Sequence, residues 1–348
     1  MSDGTPRVDR GAPVPPVTLA DIAREAGTSA STASRAISGR GYVSAAARER
    51  LLEVADRLGY VPNASARTLK QRTSRVVGVV VSDLGNQFYG RLAAAIEETL
   101  READYQMVLI GDNSEAAEEV AGARTFLAMR APGVIMTPVG EEASLLLARH
   151  GVAVVEVDRR LASVPCDAVV IDNERGARDA VGHLLDLGHR RVGLLVADTN
   201  WTSDAGRLRG YRDAHADAGV PIDDGLIVRI GFHAADAIAR IGALLDERRP
   251  TAIFAANNLL AEQAWRLIRE RRLRLPDDIS LVGFDDVPWM EMVIPGITVV
   301  AQPTEELGRR AAQLLLRRLA DATSDERVEQ LEPTLIVRGS TGPTFGKE

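Results

Sequence analysis

The chain has 348 residues, 45% of them hydrophobic, with one cysteine and five histidines. That length favours two or three domains, a lone Cys166 excludes a disulfide framework or a cysteine-based zinc site, and scattered histidines argue against a metal centre or metal cofactor. No apolar run reaches transmembrane length and no signal-peptide pattern is present, so a soluble, cytoplasmic protein is expected, and an Ala- and Arg-rich chain with only two Lys suggests a GC-rich bacterial source. The net charge of −7 is unevenly spread: residues 17–72 hold nine basic and five acidic side chains, a local +4 that leaves −11 for the rest. A small basic module joined to an acidic body is the electrostatic footprint of a DNA-binding, nucleoid-associated protein.

Residues 1–16, "MSDGTPRVDRGAPVPP", are Pro/Gly-rich and aperiodic and are predicted to be a disordered leader. Residues 17–61 predict three short helices. In "TLADIAREAGTSASTASRAISG", Thr18 is a candidate N-cap, Gly27 sits where the chain leaves a helix with positive φ, and Ser29 can cap a second helix over about 30–37. These are helix-turn-helix proportions. Ala30, Ser31, Ser34 and Arg35 are predicted to face outward, with Ala33, Ala36 and Ile37 inward. A reading helix must fit a major groove about 12 Å wide, and small side chains let its first turn approach base edges. Arg35 supplies the fork that suits guanine O6/N7, Ser31 a versatile donor and acceptor, and Ala30 a contact for a thymine methyl. Thr18, Ser29, Thr32 and Ser34 suit phosphates, which fix register without reading sequence. Residues 62–74 are polar and lack an apolar face, as a hinge and linker would.

From Val76 onward, apolar β-branched runs ("VVGVVVSD", "QMVLIG", "GVIMT", "VAVVEVD", "RVGLLVAD", "TAIFAAN", "ISLVGFD") alternate with helical stretches. That alternation predicts an α/β domain of doubly wound parallel sheets, and its length predicts two lobes. "VVGVVVSD" and "RVGLLVAD" form a faint internal repeat, each the opening strand of one lobe. We expect an all-α helix-turn-helix headpiece followed by a two-lobed effector-binding and dimerisation domain over 75–340, with a tail at 341–348. The N-lobe is expected over about 75–172 and 302–332, and the C-lobe over about 173–301 and 333–340. Ligands of open parallel sheets bind beyond the carboxyl ends of the strands. The polar residues at those ends are Asp83, Asn86, Asp158, Arg159, Arg207, Asn257, Asp285 and Gln302. Phe88, Tyr89, Phe232 and Trp289 are candidates to stack on a sugar face or a base. No GxxxxGK[ST] phosphate loop and no GxGxxG after a strand is present, so an enzyme is not expected.

The run from Val17 to Lys70, with "LADIA…AG", "STASR", "YVS", "LGY.PN" and "AR.LK" in order, resembles the headpiece and hinge of the lac repressor/galactose repressor family. Thr28 and Ala33 stand where that family often has Val. The resemblance adds Leu19 and Tyr60 to the DNA-contacting set. It also implies that the segment matching Asn63–Lys70 folds into a hinge helix on operator DNA. Leu69 would be the minor-groove wedge, Ala66 would lie one turn before it and Lys70 would follow, on a palindrome centred on a CG step. The rest of the chain to about Ser340 resembles the same family's effector domain, itself similar to ribose-type periplasmic sugar-binding proteins. The motifs are "VGVVVSDLGNQFYG", "VEVDRR", "IDNERGA", "GRLRGY", "AANN", "LPDDISLVGFDD" and "ITVVAQP". Residues matching Asn86, Phe88, Asp158, Arg159, Arg207, Asn257, Asp285 and Gln302 contact a pentose in those relatives. Asn258 departs from the family's usual Asp. The resemblance implies a homodimeric repressor on double-stranded operator DNA, without membrane association, controlled by a pentose or hexose between the lobes. The alternative is a co-repressor-type regulator that senses a purine or nucleoside.

Overall fold

The computed structural model describes residues 17–39, 41–60, 74–161, 163–199, 201–231 and 236–344. The chain divides into two units, 1–72 and 73–348. In the first, α1 (Leu19–Glu25), α2 (Ala30–Ser38) and α3 (Ala45–Arg57) pack around Ile22, Ala23, Ala33, Ala36, Leu51 and Val54. Each helix starts on a hydroxyl cap: Thr18 in a reciprocal capping box with Asp21, Ser29 on the Thr32 N–H and Ser44 on the Ala47 N–H.

The second unit holds two six-stranded sheets. The first lobe runs β1 (Val76–Val81), α4 (Gln87–Glu102), β2 (Gln106–Gly111), α5 (Ala116–Ala128), β3 (Gly133–Met136), α6 (Glu141–Arg149), β4 (Ala153–Asp158) and β5 (Asp167–Ile171). The second runs α7 (Asn173–Asp186), β6 (Val192–Ala197), α8 (Thr202–Asp217), β7 (Ile227–Ile230), α9 (Ala237–Ala243), β8 (Ala252–Ala255), α10 (Asn258–Glu270), β9 (Ser280–Phe284), α11 (Pro288–Met292) and β10 (Thr298–Ala301). The chain then returns through α12 (Thr304–Ala320) and β11 (Val328–Leu331) to the first sheet, and ends with β12 (Thr334–Ile336) on the second. It thus crosses between lobes three times, near Asp172, Gln302 and Glu332.

The strand orders, β2-β1-β3-β4-β5-β11 and β7-β6-β8-β9-β10-β12, are equivalent. The two "VVGVVVSD"-like runs become β1 and β6, the second strand of each sheet. Only the last pairings differ: β11 joins β5 in parallel, and β12 joins β10 antiparallel. Covered by helices on both faces, β1 and β6 are apolar almost throughout, as parallel strands must be.

Three buried carboxylates hold first-lobe connections together. Asp167, fully buried, accepts from Arg317 (2.7 Å) and Arg318 (2.9 Å) and so fastens the end of α12 to β5. Glu119 on α5 accepts from the N–H groups of Val139 (2.8 Å) and Gly140 (3.1 Å), capping α6, whose own N-cap is a glycine without a side chain to do so. Glu156 on β4 accepts from the Leu161 N–H (2.8 Å) and the Ser144 hydroxyl (3.3 Å). Burial pushes both glutamates up to about 7 from an ordinary 4.5.

Two outcomes follow from this packing. A Cβ at Gly210 on α8 would lie 2.1 Å from the Glu174 carbonyl oxygen on α7. Gly210→Ala is therefore expected to destabilise the second unit by about 1–3 kcal/mol or more, lowering its denaturant midpoint while the headpiece transition stays put. Because the folded-state pKa values of Glu119 and Glu156 are raised, their contribution is complete below about pH 4.5 and is lost as pH rises towards 7. The denaturant midpoint of this unit should fall from pH 5 to pH 8, and Glu119→Gln should flatten part of that fall; an unchanged slope would show that Glu119 is not a titrating group.

Candidate functional site

The headpiece presents one small, polar helix face. On α2, Ala33 and Ala36 are buried and Ile37 is half-buried, while Ala30, Ser31 and Arg35 are exposed and Thr32 and Ser34 lie at the margin. Gly39 closes the helix at φ 70°, and Gly27 turns the chain from α1 to α2 at φ 64°. The Ser29 hydroxyl bonds those of Ser31 and Thr32, each at 2.9 Å, so three hydroxyls converge at the N-terminus of α2, where backbone N–H groups favour an anion. Arg35 returns its Nε to the Ser31 carbonyl at 3.2 Å, which leaves the guanidinium exposed beside that hydroxyl cluster. The exposed Thr18 is engaged with Asp21, and Leu19 and Tyr60 are half-buried against the headpiece core. Asn63, Ala66, Leu69 and Lys70 lie outside the described residues.

In the second unit, the carboxyl ends of both sheets line one cleft. Asp158 closes β4 and Asp285 follows β9, the equivalent strands of the two lobes. Both adopt left-handed backbone, φ 72° and 70°; Asp tolerates this region better than most side chains. The turn sends each carboxylate into the space between the lobes. The cavity there is lined by Asn86, Phe88, Tyr89, Asp158, Arg159, Arg207, Asn257, Asp285 and Gln302, and also by Trp201, Ser203, Asp204 and Leu259. It encloses about 50 Å³, room for a few waters.

The two guanidiniums are locked. Arg159 donates Nε to the Pro138 carbonyl (2.7 Å) and Nη2 to the Ser82 hydroxyl and the Thr137 carbonyl, and it lies 3.5 Å from the centre of the Trp201 ring in the other lobe. Arg207 donates Nε to Asn173 Oδ1 (2.8 Å) and Nη1 to the Ala256 carbonyl (2.5 Å), and stacks at 3.7 Å on Phe284. Such stacks add to the hold on a desolvated guanidinium. Gln302 Nε2 donates to Asp285 (2.5 Å), and the Thr199 hydroxyl donates to Asp204 (2.5 Å). Burial raises the pKa of all three aspartates and takes Asp158 to about 6, against the lowering charge of Arg207 on all three and of Arg159 on Asp158 and Asp204. Burial likewise raises the Tyr89 phenol, whose ring meets Phe88 edge-on at 5.1 Å.

What remains unsatisfied is informative. Among the described residues no donor reaches either oxygen of Asp158, although the residue is only 6% exposed. Gln302 Oε1 is buried without a partner. Asn257 uses its oxygen to cap α10 at the Leu260 N–H (2.8 Å), leaving its NH₂ to the cleft. Free acceptors thus stand beside free guanidinium and amide donors, which suits a ligand rich in hydroxyl groups, each able to donate and to accept.

Asn86 is doubly engaged. Its oxygen caps α4 at the Phe88 N–H (3.0 Å), and its amide forms a reciprocal pair with Asn258 in the other lobe, at 3.2 and 2.7 Å. The departure at 258 therefore makes a bridge between lobes, and the helix-start cap is provided by Asn257. On the opposite rim, the Arg160 backbone pairs with the Thr202 hydroxyl through two hydrogen bonds.

Trp289 does not line the cavity. Pro288 begins the short α11, and Trp289 there packs against Trp265 with ring centres 5.8 Å apart, in the second lobe's outer core. Phe232 lies outside the described residues. Trp201, Ser203 and Asp204 are not among the residues expected at the cleft from sequence, where Arg207 alone represents the segment after β6. Placing the start of α8 at Thr202 sets Asp204 one turn before Arg207 on the same face. No three His, Cys, Asp or Glu side chains among the described residues converge as metal ligands, and no described helix is long and apolar enough to cross a membrane.

Comparison with known proteins matches this division. The model for bacterial regulatory proteins of the lacI family covers residues 18–63, and that for a periplasmic binding protein-like domain covers 181–341. The chain is 34% identical over 331 residues to the transcriptional regulator DegA of Bacillus subtilis, spanning 94% of this chain and 98% of that one. It resembles the regulator CelR in its cellobiose complex, with 32% identity, a TM-score of 0.70 and coverage of 93% and 99%. It also resembles the lac repressor dimer bound to operator and an anti-inducer, with 28% identity, a TM-score of 0.82 and coverage of 94% and 99%. The capped reading helix, the paired sheets and a relative of this identity over nearly the whole chain together establish that the protein belongs to the lacI family of DNA-binding transcriptional regulators.

Proposed function

We propose that the protein is a homodimeric, cytoplasmic repressor, without catalytic activity, that binds a palindromic operator and releases or holds it according to a sugar bound between its lobes. Two headpieces match two half-sites of a palindrome. The lac repressor dimer on operator and the cellobiose complex of CelR are the relatives that favour this reading. The single observation that carries the sugar assignment is the cleft's free acceptors, Asp158 and Gln302 Oε1, set between Arg159 and Arg207 and beside aromatic rings. Hydroxyl groups would satisfy those acceptors and the remaining guanidinium and Asn257 N–H donors, and Phe88 or Trp201 would cover an apolar sugar face.

The enclosed 50 Å³ is smaller than a monosaccharide requires, so ligand entry parts the lobes or displaces the Arg159–Trp201 stack and the Asn86–Asn258 pair. A ligand that changes lobe closure in this way couples to DNA binding to the extent that its affinity differs between the DNA-bound and free states.

Arg35→Ala is expected to remove about 1–3 kcal/mol of discrimination between operator and scrambled duplex, read by fluorescence anisotropy, with ligand binding unaltered. Asp158→Asn is nearly isosteric and breaks no protein hydrogen bond. It is expected to weaken sugar binding by about 1.5–3 kcal/mol, the worth of hydrogen bonds to a charged group, while operator affinity without ligand is retained. Thermal unfolding against pentoses, hexoses, cellobiose, purines and nucleosides identifies the ligand; stabilisation by purines alone would replace the sugar reading with the purine-sensing one.

A further inference from the structure

Resting on the sugar reading of the cleft, we propose that the effector carries no negative charge, and that Asp204 is the residue that turns phosphorylated and acidic sugars away. The first observation is the charge balance. Asp158, Asp204 and Asp285 are 6%, 5% and 6% exposed, and Arg159 and Arg207 are 3% and 4% exposed. Three carboxylates therefore face two guanidiniums before any ligand arrives. A phosphate or carboxylate would bring further negative charge into a desolvated site that already holds three carboxyl groups against two guanidiniums and in which burial already disfavours the charged form of each.

The second observation is how the positive groups are engaged. Recognition of a phosphate requires several N–H donors converging on its oxygens, typically a guanidinium fork or a helix N-terminus. Both forks are occupied by the protein's own carbonyls, hydroxyl and amide oxygen, which leaves Nη1 of Arg159 and Nη2 of Arg207 as the remaining terminal nitrogens. The helix N-termini at the cleft are occupied too: Asn86 caps α4 and Asn257 caps α10.

Among the helices whose opening turns line the cavity, α8 is the one without a side-chain cap. It is sixteen residues long, its N-cap Trp201 makes no side-chain cap, and it opens at the cleft, where Trp201, Ser203 and Asp204 all line the cavity. By its dipole it is the natural seat for an anion. Asp204, in its first turn, fills that seat with a carboxylate of the protein's own, held by the Thr199 hydroxyl and facing the charges of Arg207 and Arg159. Meanwhile the buried Gln302 Oε1 and the free Asp158 carboxylate point to a donor-bearing ligand. Asp204 is thus a specificity-determining residue: it neutralises the helix terminus from within, so that hydroxyl or amino groups are bound and anions are not.

The test compares full-length wild-type protein with Asp204→Asn and, as a second variant, Asp204→Ser. Thermal unfolding and calorimetric titration are run with ribose, glucose, cellobiose, ribose 5-phosphate, glucose 6-phosphate and inorganic phosphate. Wild type is expected to be stabilised by a neutral sugar and not by its phosphate ester or by inorganic phosphate. Removing the carboxylate is expected to raise affinity for inorganic phosphate and the esters by about tenfold or more relative to affinity for the neutral sugars. If wild type binds a phosphate ester as tightly as the parent sugar, or if neither variant gains anion affinity, the inference is overturned. If the variants gain inorganic phosphate while no sugar binds wild type, Asp204 excludes anions as argued and it is the sugar reading that fails.

Discussion

Five charged side chains buried in one cleft set the terms for the rest of the effector unit. Removing a carboxylate or guanidinium from water is costly unless other dipoles replace the water. The protein supplies those dipoles from its framework. The carbonyls of Thr137, Pro138 and Ala256 lie just beyond strand ends of β3 and β8, and each accepts from an arginine. The aromatic faces of Trp201 and Phe284 cover the same two guanidiniums. Parallel sheets bring such carbonyls to one end of the fold, and that is where the charges have been placed. The site and the sheet topology are thus one arrangement, and Asp158, with no donor of its own, is the part left for a ligand to complete.

The repeat explains how the same solution is reached twice. Equivalent strand orders put β4 and β9 in matching places, and the aspartates at their ends share the same unusual left-handed backbone. After that the lobes diverge. In the first, Asp158 is followed by Arg159, which turns back beneath the strand ends. In the second, Asp285 is followed by Asp286, which pairs with Arg338 outside the cleft. The cleft charge is therefore asymmetric: one lobe brings an acid and a base, and the other brings two acids and Arg207.

Much of this was legible from sequence because it rests on local rules. Hydroxyl caps, a glycine between two short helices and inward alanines define the headpiece within a window of about twenty residues. β-branched runs ending in Asp locate the strands and their functional ends. What was not legible depends on partners far apart in the chain. Asn86 and Asn258 are separated by 172 positions and meet only when the lobes face each other. Trp289 reads like an aromatic beside a binding Asp, but the proline before it starts a helix that turns its ring towards Trp265. Trp201 reads like a loop residue and lies on Arg159 because β4 of one lobe and β6 of the other end at the same cleft.

The amide pair also bears on how a ligand signal is generated. A carboxylate at position 258 could only accept from the Asn86 amide, and it would add a fourth negative charge beside Asp285, which already takes a hydrogen bond from the Asn258 backbone. An amide donates as well as accepts, closes a two-bond bridge between lobes and adds no charge. In a cleft where carboxyl groups already exceed guanidiniums, the amide pair joins the lobes without adding charge. The same excess of acid that shapes ligand choice therefore bears on the contact between the lobes, and a neutral bridge at the rim is the way this chain reconciles the two.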